Sequence, residues 1–285
     1  MADLRVLSWN LFHGRDAPPG ARLFSLRSRL LKVVEHDATH VQVNRLLLDE
    51  FADLIASARW SVCLLQEAPP WWSKPLAERC GAAAQSVLTS RNQLGSLRRR
   101  LARWNPDLIA SGEGGSNLTL VRPPWQISER RALLLNPLPR RGLRERRSMA
   151  FLTATLESAA LCVGNLHASA GDRAQAERDV LRAAEAAVAW SGDRALLLGG
   201  DFNLRPASSK MFGELERRFG LVAPTAPHAI DHLLVRGLEV LEPPTPWPDA
   251  RRELEVPFGG GVRRLRLSDH TPIEAAFRLS PAGVP

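Results

Sequence analysis

The chain has 285 residues, is 45% hydrophobic and carries a formal net charge of +8. That length suits a single α/β domain with a sizeable core over residues 1–285, and no stretch approaches the roughly 20 apolar residues of a membrane-spanning helix. Three cysteines, Cys63, Cys80 and Cys162, exclude a fully paired disulfide framework and lack zinc-site spacing.

The start, MADLRVLSWN, enters a strand-like run at once and lacks the shape of a secretory leader. Together with free thiols this leads us to expect a cytoplasmic protein. Residues 5–12 read as a first buried strand, with Asn10 near its end and His13–Gly14 beyond it. Residues 23–58 are mainly helical in pattern, broken near 37–39. Val43, Leu46, Leu47, Phe51, Leu54 and Ile55 follow the helical stripe. Residues 61–66, SVCLLQ, form the second strand and deliver Glu67. APPWWSKP follows as a loop that runs into a short helix.

Further strands are expected at 85–89, 117–122 and 126–135, with an arginine-rich stretch at 91–104 and a basic loop at 137–147. Residues 149–157 and 161–167 read as a hairpin ending on His167. The clearest helix covers 173–190. Then LLLGGDFNL, residues 196–204, reads as a buried strand closed by Gly199–Gly200 that presents Asp201 and Asn203 side by side. A helix at 211–219 and a strand at 230–235 follow, then a Pro-rich loop at 243–248. The last two strands, 262–267 and 273–279, flank Ser268–Thr271. Strands in this number with few helices point to two sheets packed face to face with helices outside.

Polar residues recur where apolar strands stop. They are Asn10, Glu67, His167, Asp201, Asn203, Asp231 and the pair Asp269–His270, in the contexts WNLFHG, LLQEAPP, GNLHAS, GGDFNL, AIDHLL and LSDHTP. Singly, each suits a turn or a hydrogen-bonded core position. Six such sites in one chain are better explained by a shared polar centre at one sheet rim, since an unpaired carboxylate at the mouth of a buried sheet is costly for packing alone.

In this order and spacing, the set resembles the endonuclease/exonuclease/phosphatase superfamily, the deoxyribonuclease-I-like fold, over Asn10 to His270. The resemblance implies a four-layer α/β sandwich: two mixed β-sheets packed face to face, helices on the outer faces, and an active site at one rim. It implies divalent-metal-dependent hydrolysis of phosphoester bonds, in which a cation offsets the anion's repulsion of the nucleophile and the poor alkoxide leaving group. By resemblance, Glu67 is the main metal ligand, helped by Asn10 and Asp269, and these oxygen donors suit Mg²⁺ or Mn²⁺. Asp201 orients or deprotonates the attacking water. Asn203 holds a phosphate oxygen or a metal. His270 donates to the phosphate, with Asp231 fixing its tautomer and raising its pKa. His167 contacts the phosphate or protonates the leaving oxygen. Arg147, or Arg146 beside it, grips the substrate phosphate.

Two departures bear on the chemistry. The chain contains no tyrosine, so the tyrosine that many nucleases of the family place near the scissile phosphate has no counterpart. The residues ahead of the strand at 117 are Gly114, Gly115 and Ser116, with Glu113 the nearest acid, so His167 lacks the orienting carboxylate of some members. The arginine excess favours polyanionic partners, with nucleic acid the expected substrate and lipid headgroups or small phosphorylated metabolites the alternative. Trp71 and Trp72 either stack on bases, dip into a lipid interface, or pack over the neighbouring helix. A monomer is the default expectation.

Overall fold

The computed structural model describes residues 2–89, 95–108, 114–135, 147–222 and 225–279. In chain order the strands are β1 (Ala2–Asn10), β2 (Glu35–His36), β3 (Val41–Gln42), β4 (Val62–Ala68), β5 (Ala83–Leu88), β6 (Ser116–Val121), β7 (Gln126–Leu134), β8 (Ser148–Leu156), β9 (Ala159–His167), β10 (Ala195–Asp201), β11 (Asp231–Arg236), β12 (Leu238–Pro246), β13 (Glu253–Phe258), β14 (Gly261–Arg266) and β15 (Ile273–Leu279). The helices are α1 (Leu26–Leu31), α2 (Leu48–Ser57), α3 (Ser73–Cys80), α4 (Gly95–Trp104), α5 (Arg173–Ser191) and α6 (Met211–Phe219).

Strand alternation sorts the side chains into layers. Successive residues on a strand face opposite ways, so Leu4 and Val6 of β1 enter one core while Leu7 and Trp9 enter another. The same split runs through β10, where Leu197 joins the first core and Leu196 and Leu198 a third. A six-stranded sheet, β12–β15–β1–β4–β6–β5, faces a five-stranded sheet, β11–β10–β9–β8–β7. Between them lie Leu4, Val6, Leu64, Leu152, Val163, Leu197, Leu233 and Phe277. Phe51 and Ile55 of α2 and Leu76 of α3 cover the outside of the first sheet, while Val180 and Ala184 of α5 and Leu215 of α6 cover the second. The pairs β1–β4 and β9–β10 are parallel and the remaining pairs of the two large sheets antiparallel. The four-layer sandwich of two mixed sheets is therefore present. Being buried on both faces explains why the central strands read as continuous apolar runs.

Four local expectations are corrected. Residues 23–58 are not mainly helical: only α1 and α2 are, and between them lies the small β2–β3 pair. Its turn is held by the Asp37 carboxylate, whose Oδ1 accepts from the backbone N–H groups of Thr39 and His40. Such a local bond competes with the helix. Residues 243–246 of the proline-rich segment belong to strand β12, not to a loop. That strand lies on the sheet edge and pairs with β15 through two register shifts, where the missing N–H of Pro243 and Pro244 is tolerated. Strand β14 does not join the large sheets; it pairs with β13, which sequence reading passed over. Lastly, Gly199 and Gly200 do not end their strand, which continues to Asp201.

The two glycines serve close packing. A Cβ on Gly199 would lie within 2.7 Å of Leu64 in the facing sheet, and one on Gly200 would lie 2.0 Å from the Leu166 carbonyl oxygen of β9. Gly200 also has φ +128°, outside the range favoured by side chains. Gly200→Ala is expected to lower stability by about 3 kcal/mol or more. Chemical denaturation checks this, and a loss under about 1 kcal/mol would mean that β9 and β10 can separate freely.

Candidate active site

On the inter-sheet face, the apolar residues of several strands give way to polar ones toward the same rim. In β1, Leu4 and Val6 are followed by Ser8 and Asn10; in β4, Val62 and Leu64 by Gln66; in β9, Leu161 and Val163 by Asn165 and His167; in β10, Leu197 by Asp201. Register brings them level: Asn10 pairs with Gln66, and Asp201 with both His167 and Asp231. The period of two thus delivers a polar cap to an apolar sandwich.

Asp201 sits at the centre and is buried. Its Oδ1 accepts the Asn203 backbone N–H at 2.9 Å and its Oδ2 accepts Asn10 Nδ2–H at 3.1 Å. Two imidazole nitrogens face the same Oδ2, His167 Nε2 at 3.5 Å and His270 Nε2 at 3.8 Å. Burial first, then the neighbouring Asp231, push the Asp201 carboxyl up to about 7, against the pull of His270 and the hydrogen bonds from Asn203 and Asn10. A carboxyl poised near neutrality can accept a proton from a bound water.

The two histidines differ in state. His270 Nδ1 lies 2.9 Å from Asp231 Oδ2. Burial lowers its pKa, but Asp231, Asp201 and Asp269 outweigh burial and raise it to about 10. The ring is a cation with Nε2–H left to donate. His167 is buried, and burial, with Arg147 and the other histidines nearby, holds its pKa well below the usual value. Arg147 contacts His167 Nδ1 at 2.9 Å. A guanidinium can only donate, so Nδ1 accepts and the ring proton sits on Nε2, facing Asp201 and Glu67. His167 is therefore a neutral hydrogen-bond donor.

Glu67 adopts φ +49° just where β4 shifts register against β6 between Leu65 and Ala68. This irregularity turns its side chain to the rim. Burial raises its pKa, opposed by Arg147, His270, Arg15 and Asn10. Asp269 is exposed as a residue, yet the protein around its carboxyl raises its pKa by desolvation, opposed first by His270 and reinforced by Glu67. Two raised carboxylates that repel one another are a donor set that a divalent cation would stabilise, and Asn10 beside them adds an amide. Asp201, Asp231 and His270 also hold ligand-capable atoms within 4.8 Å of one another. The Asp231–His270 bond and the proton kept on His270 make that trio a poorer cation site.

Asn203 departs from the expected side-by-side arrangement. The chain turns after Asp201, Phe202 is buried, and Asn203 lies at φ +51° with Nδ2 donating to the Ala168 carbonyl at 3.1 Å. Arg147 is placed in the site through His167, whereas Arg146 and Glu113 lie outside the described residues. Trp72 is buried against Phe51 and Gly14, so it packs; Trp71 is half-buried with the Arg103 guanidinium 5.2 Å from its ring.

Several contributors escape sequence reading. His13, at φ +55°, places Nε2 3.2 Å from Glu67 Oε2; its one signal is its position three residues after Asn10. Beneath the rim, Gln66 Nε2 donates to Asn165 Oδ1 at 2.8 Å, and Asn165 Nδ2 donates back to the Leu65 and Leu118 carbonyls. Asn117 Nδ2 donates to the Ser148 carbonyl. These buried amides tie the two sheets together where the apolar core ends. Alternation hinted at them, but nothing local named their partners.

Comparisons with known proteins bear on the family and the fold. The sequence matches the Endonuclease/Exonuclease/phosphatase family model over residues 7–270. A solved endonuclease/exonuclease/phosphatase family protein from Bacteroides thetaiotaomicron superposes with a TM-score of 0.67 at 14% identity, covering 98% of this chain and 99% of that one. A mannosyl-6-phosphatase from the same species gives 0.65 at 14% identity, covering 96% and 99%. The human Nocturnin catalytic domain with bound sulfate gives 0.57 at 14% identity, covering 98% and 95%. At such identities the likeness is one of fold. None of the curated proteins matches the sequence.

Proposed function

The chain belongs to the endonuclease/exonuclease/phosphatase family and is a metal-dependent phosphoester hydrolase, and from that premise we propose that its substrate is a phosphodiester, cleaved by in-line attack of a water on phosphorus. The convergence of Asp201, His167 and His270 on one point of the rim carries this reading. Asp201 takes the proton from water. His270, charged and held by Asp231, donates Nε2–H to a non-bridging phosphate oxygen and stabilises the charge that builds there. Neutral His167 donates from Nε2, a better match to holding a phosphoryl or leaving oxygen than to delivering a proton. Arg147 locks that tautomer and adds positive charge. Asn203, bonded to Asp201 through its backbone N–H, would offer its amide oxygen to phosphate or metal.

Glu67, with Asn10 and Asp269, would hold the divalent ion, Mg²⁺ or Mn²⁺ by the hardness of the oxygen donors. Such an ion supplies Lewis-acid polarisation of the phosphoryl group. His13 would orient Glu67 through its 3.2 Å contact. Glu67→Gln is expected to weaken Mn²⁺ binding, read by titration calorimetry, by at least the roughly 10–100-fold that loss of an outer-sphere partner costs. Unchanged affinity would remove Glu67 from the ligand set.

Nucleic acid is the first substrate reading, supported by the net charge of +8 and by Trp71 with Arg103 beside the rim. The second reading, a phosphoester in a lipid headgroup, is favoured by the exposed Leu101 and Trp104 of α4, the helix whose Ala102 and Arg103 line a cavity with His13. A panel of plasmid, single-stranded DNA, RNA, phospholipid vesicles and bis-p-nitrophenyl phosphate in Mg²⁺ tests both. Turnover of the last alone, with nucleic acid intact, would overturn the first reading; no turnover of any ester would overturn the reaction itself. No helix among the described residues is long and apolar enough to cross a membrane.

A further inference from the structure

Helix α1 is packed inside out. Its one buried side is Ser28, while Leu26, Leu30 and Leu31 are 74%, 60% and 69% exposed. Helix α4 and the turn after it repeat the arrangement: Ala102 and Asn105 are buried, whereas Leu101, Trp104 and Leu108 are exposed, Trp104 at 58%. Burying leucine and exposing serine would be the ordinary choice. Here a polar network forbids it. Asn44 Nδ2 donates to the Ser28 carbonyl at 3.1 Å and to Asn105 Oδ1 at 2.6 Å, and Asn105 Nδ2 donates to the Arg29 carbonyl at 2.6 Å. These bonds fasten α1 to the end of α4 through their polar sides and turn the leucines and Trp104 outward. Lys32 then lies 5.4 Å from the Trp104 ring, so the two helices present one surface.

The charge around that surface is predominantly positive, with Glu35 meeting the Ser25 hydroxyl at the start of α1 and Asp107 buried just past α4. Residues 22–34 and 100–106 contain no Asp or Glu but include Arg22, Arg27, Arg29, Lys32, Arg100 and Arg103. Elsewhere many arginines of the strands and helices are ion-paired within the chain, as Arg5 with Glu242, Arg79 with Asp53, Arg218 with Glu185, Arg251 with Glu274 and Arg278 with Glu239. Arg22, Arg27 and Arg100 have no ion pair among the described residues. Helix α4 adjoins the candidate active site: Ala102 and Arg103 line one small cavity with His13, Gly14, Trp71 and Trp72.

We propose that the outer face of α1 and α4 is a membrane-docking surface that seats the enzyme on an anionic lipid bilayer. Leucine and tryptophan side chains framed by arginine and lysine match the boundary between acyl chains and negative headgroups, where apolar groups enter and long cationic stems reach back to phosphate. A second copy of this chain is a poor occupant, because the two faces would bring like charges together. Nucleic acid would pair with the arginines and leave the leucines in water. The proposal goes beyond the substrate reading: it concerns where the enzyme sits, and holds whichever phosphoester it cleaves.

The test is co-sedimentation of the full chain with vesicles of phosphatidylcholine alone and of phosphatidylcholine containing about one-third phosphatidylglycerol. Binding to the anionic vesicles is expected to persist at about 0.15 M salt, where purely surface charge attraction is screened beyond roughly 8 Å. The variant Leu26→Ser/Leu30→Ser/Leu31→Ser is expected to bind these vesicles about tenfold or more weakly. Its circular dichroism and its turnover of bis-p-nitrophenyl phosphate should match the parent. Trp104→Phe should abolish a blue shift of tryptophan emission on vesicle binding. No binding by the parent, or equal binding by the triple variant, would overturn the proposal. So would a dimer in light scattering that the triple variant loses, since that makes the face a contact between copies. Because vesicle binding and folding are read without turnover, failure of the reaction reading leaves this test intact.

Discussion

Asp201→Asn is expected to lower kcat by about 10²–10⁴-fold, the range for loss of a well-placed base, while the fold persists. The substitution keeps an oxygen for the Asn203 backbone N–H and keeps the side-chain volume, but removes the lone pair that would take a proton. In the parent, activity should rise with pH through about 7, where Asp201 ionises. The stability effect has the opposite sense. The folded-state pKa is raised above the unfolded value near 3.9, so the unfolded chain loses this proton first and stability falls as pH rises from about 4 to about 7. Asn cannot ionise, so the melting temperature of the variant should gain on the parent across that window. A kcat loss below tenfold would place water activation elsewhere. A collapsed melting transition would make Asp201 chiefly structural.

The second large effect is expected from Asp231→Asn. His270 is largely enclosed, which alone would lower its pKa; the Asp231 carboxylate first, with Asp201 and Asp269, lifts it to about 10. As a raised histidine, it contributes stability that is fully present below about 6.5 and is lost as pH rises through about 10. Without the carboxylate, burial pulls the imidazolium pKa down, and at pH 8 the ring loses the charge that would face the phosphate. Loss of one such donor costs about 10²–10³ in kcat. Asp231 also raises Asp201, so its removal lowers that pKa too. Both limbs of the kcat–pH profile should therefore move to lower pH, with part of the activity recovered on acidification. Nitrogen-15 NMR of the His270 ring checks the cause directly. An unchanged His270 titration would show that Asp231 does not hold its charge, whatever happens to the rate.

Much of this site was legible in the sequence because its signal is local. An apolar run that stops on Asn10, on Gln66–Glu67, on His167 or on Asp201 announces both a buried strand and what its end presents. The helices α5 and α6 were legible for the same reason, their stripes being periodic over their own length. Residues 23–58 misled because Val43, Leu46 and Leu47 share a spacing with helix α2 but precede it; the Asp37 turn, a local bond, decided the backbone there. Strand β12 hid its prolines on a sheet edge, a position that exists only once β15 is beside it. Gly199 and Gly200 marked close approach, not termination, and that reading requires Leu64 and the Leu166 carbonyl in place.

The sequence by itself determined the strand cores, the polar residues at their ends and, through their order, the family. Tertiary structure alone decided which of these groups meet and in what state. Asp201 meets Asn10 across 191 residues, and its pKa follows from that burial and from Asp231 opposite. His167 is neutral because burial, with the Arg147 guanidinium on its Nδ1, disfavours the cation, while His270 is charged because Asp231, with Asp201 and Asp269, outweighs its burial. His13 joins Glu67, and the inverted packing of α1 exposes its leucines, only through partners from other elements. Alternation and helical stripes are set by neighbours a few residues apart and can be read along the chain. Burial, desolvation and ion pairing are set by groups distant in sequence, and these control charge and proton position.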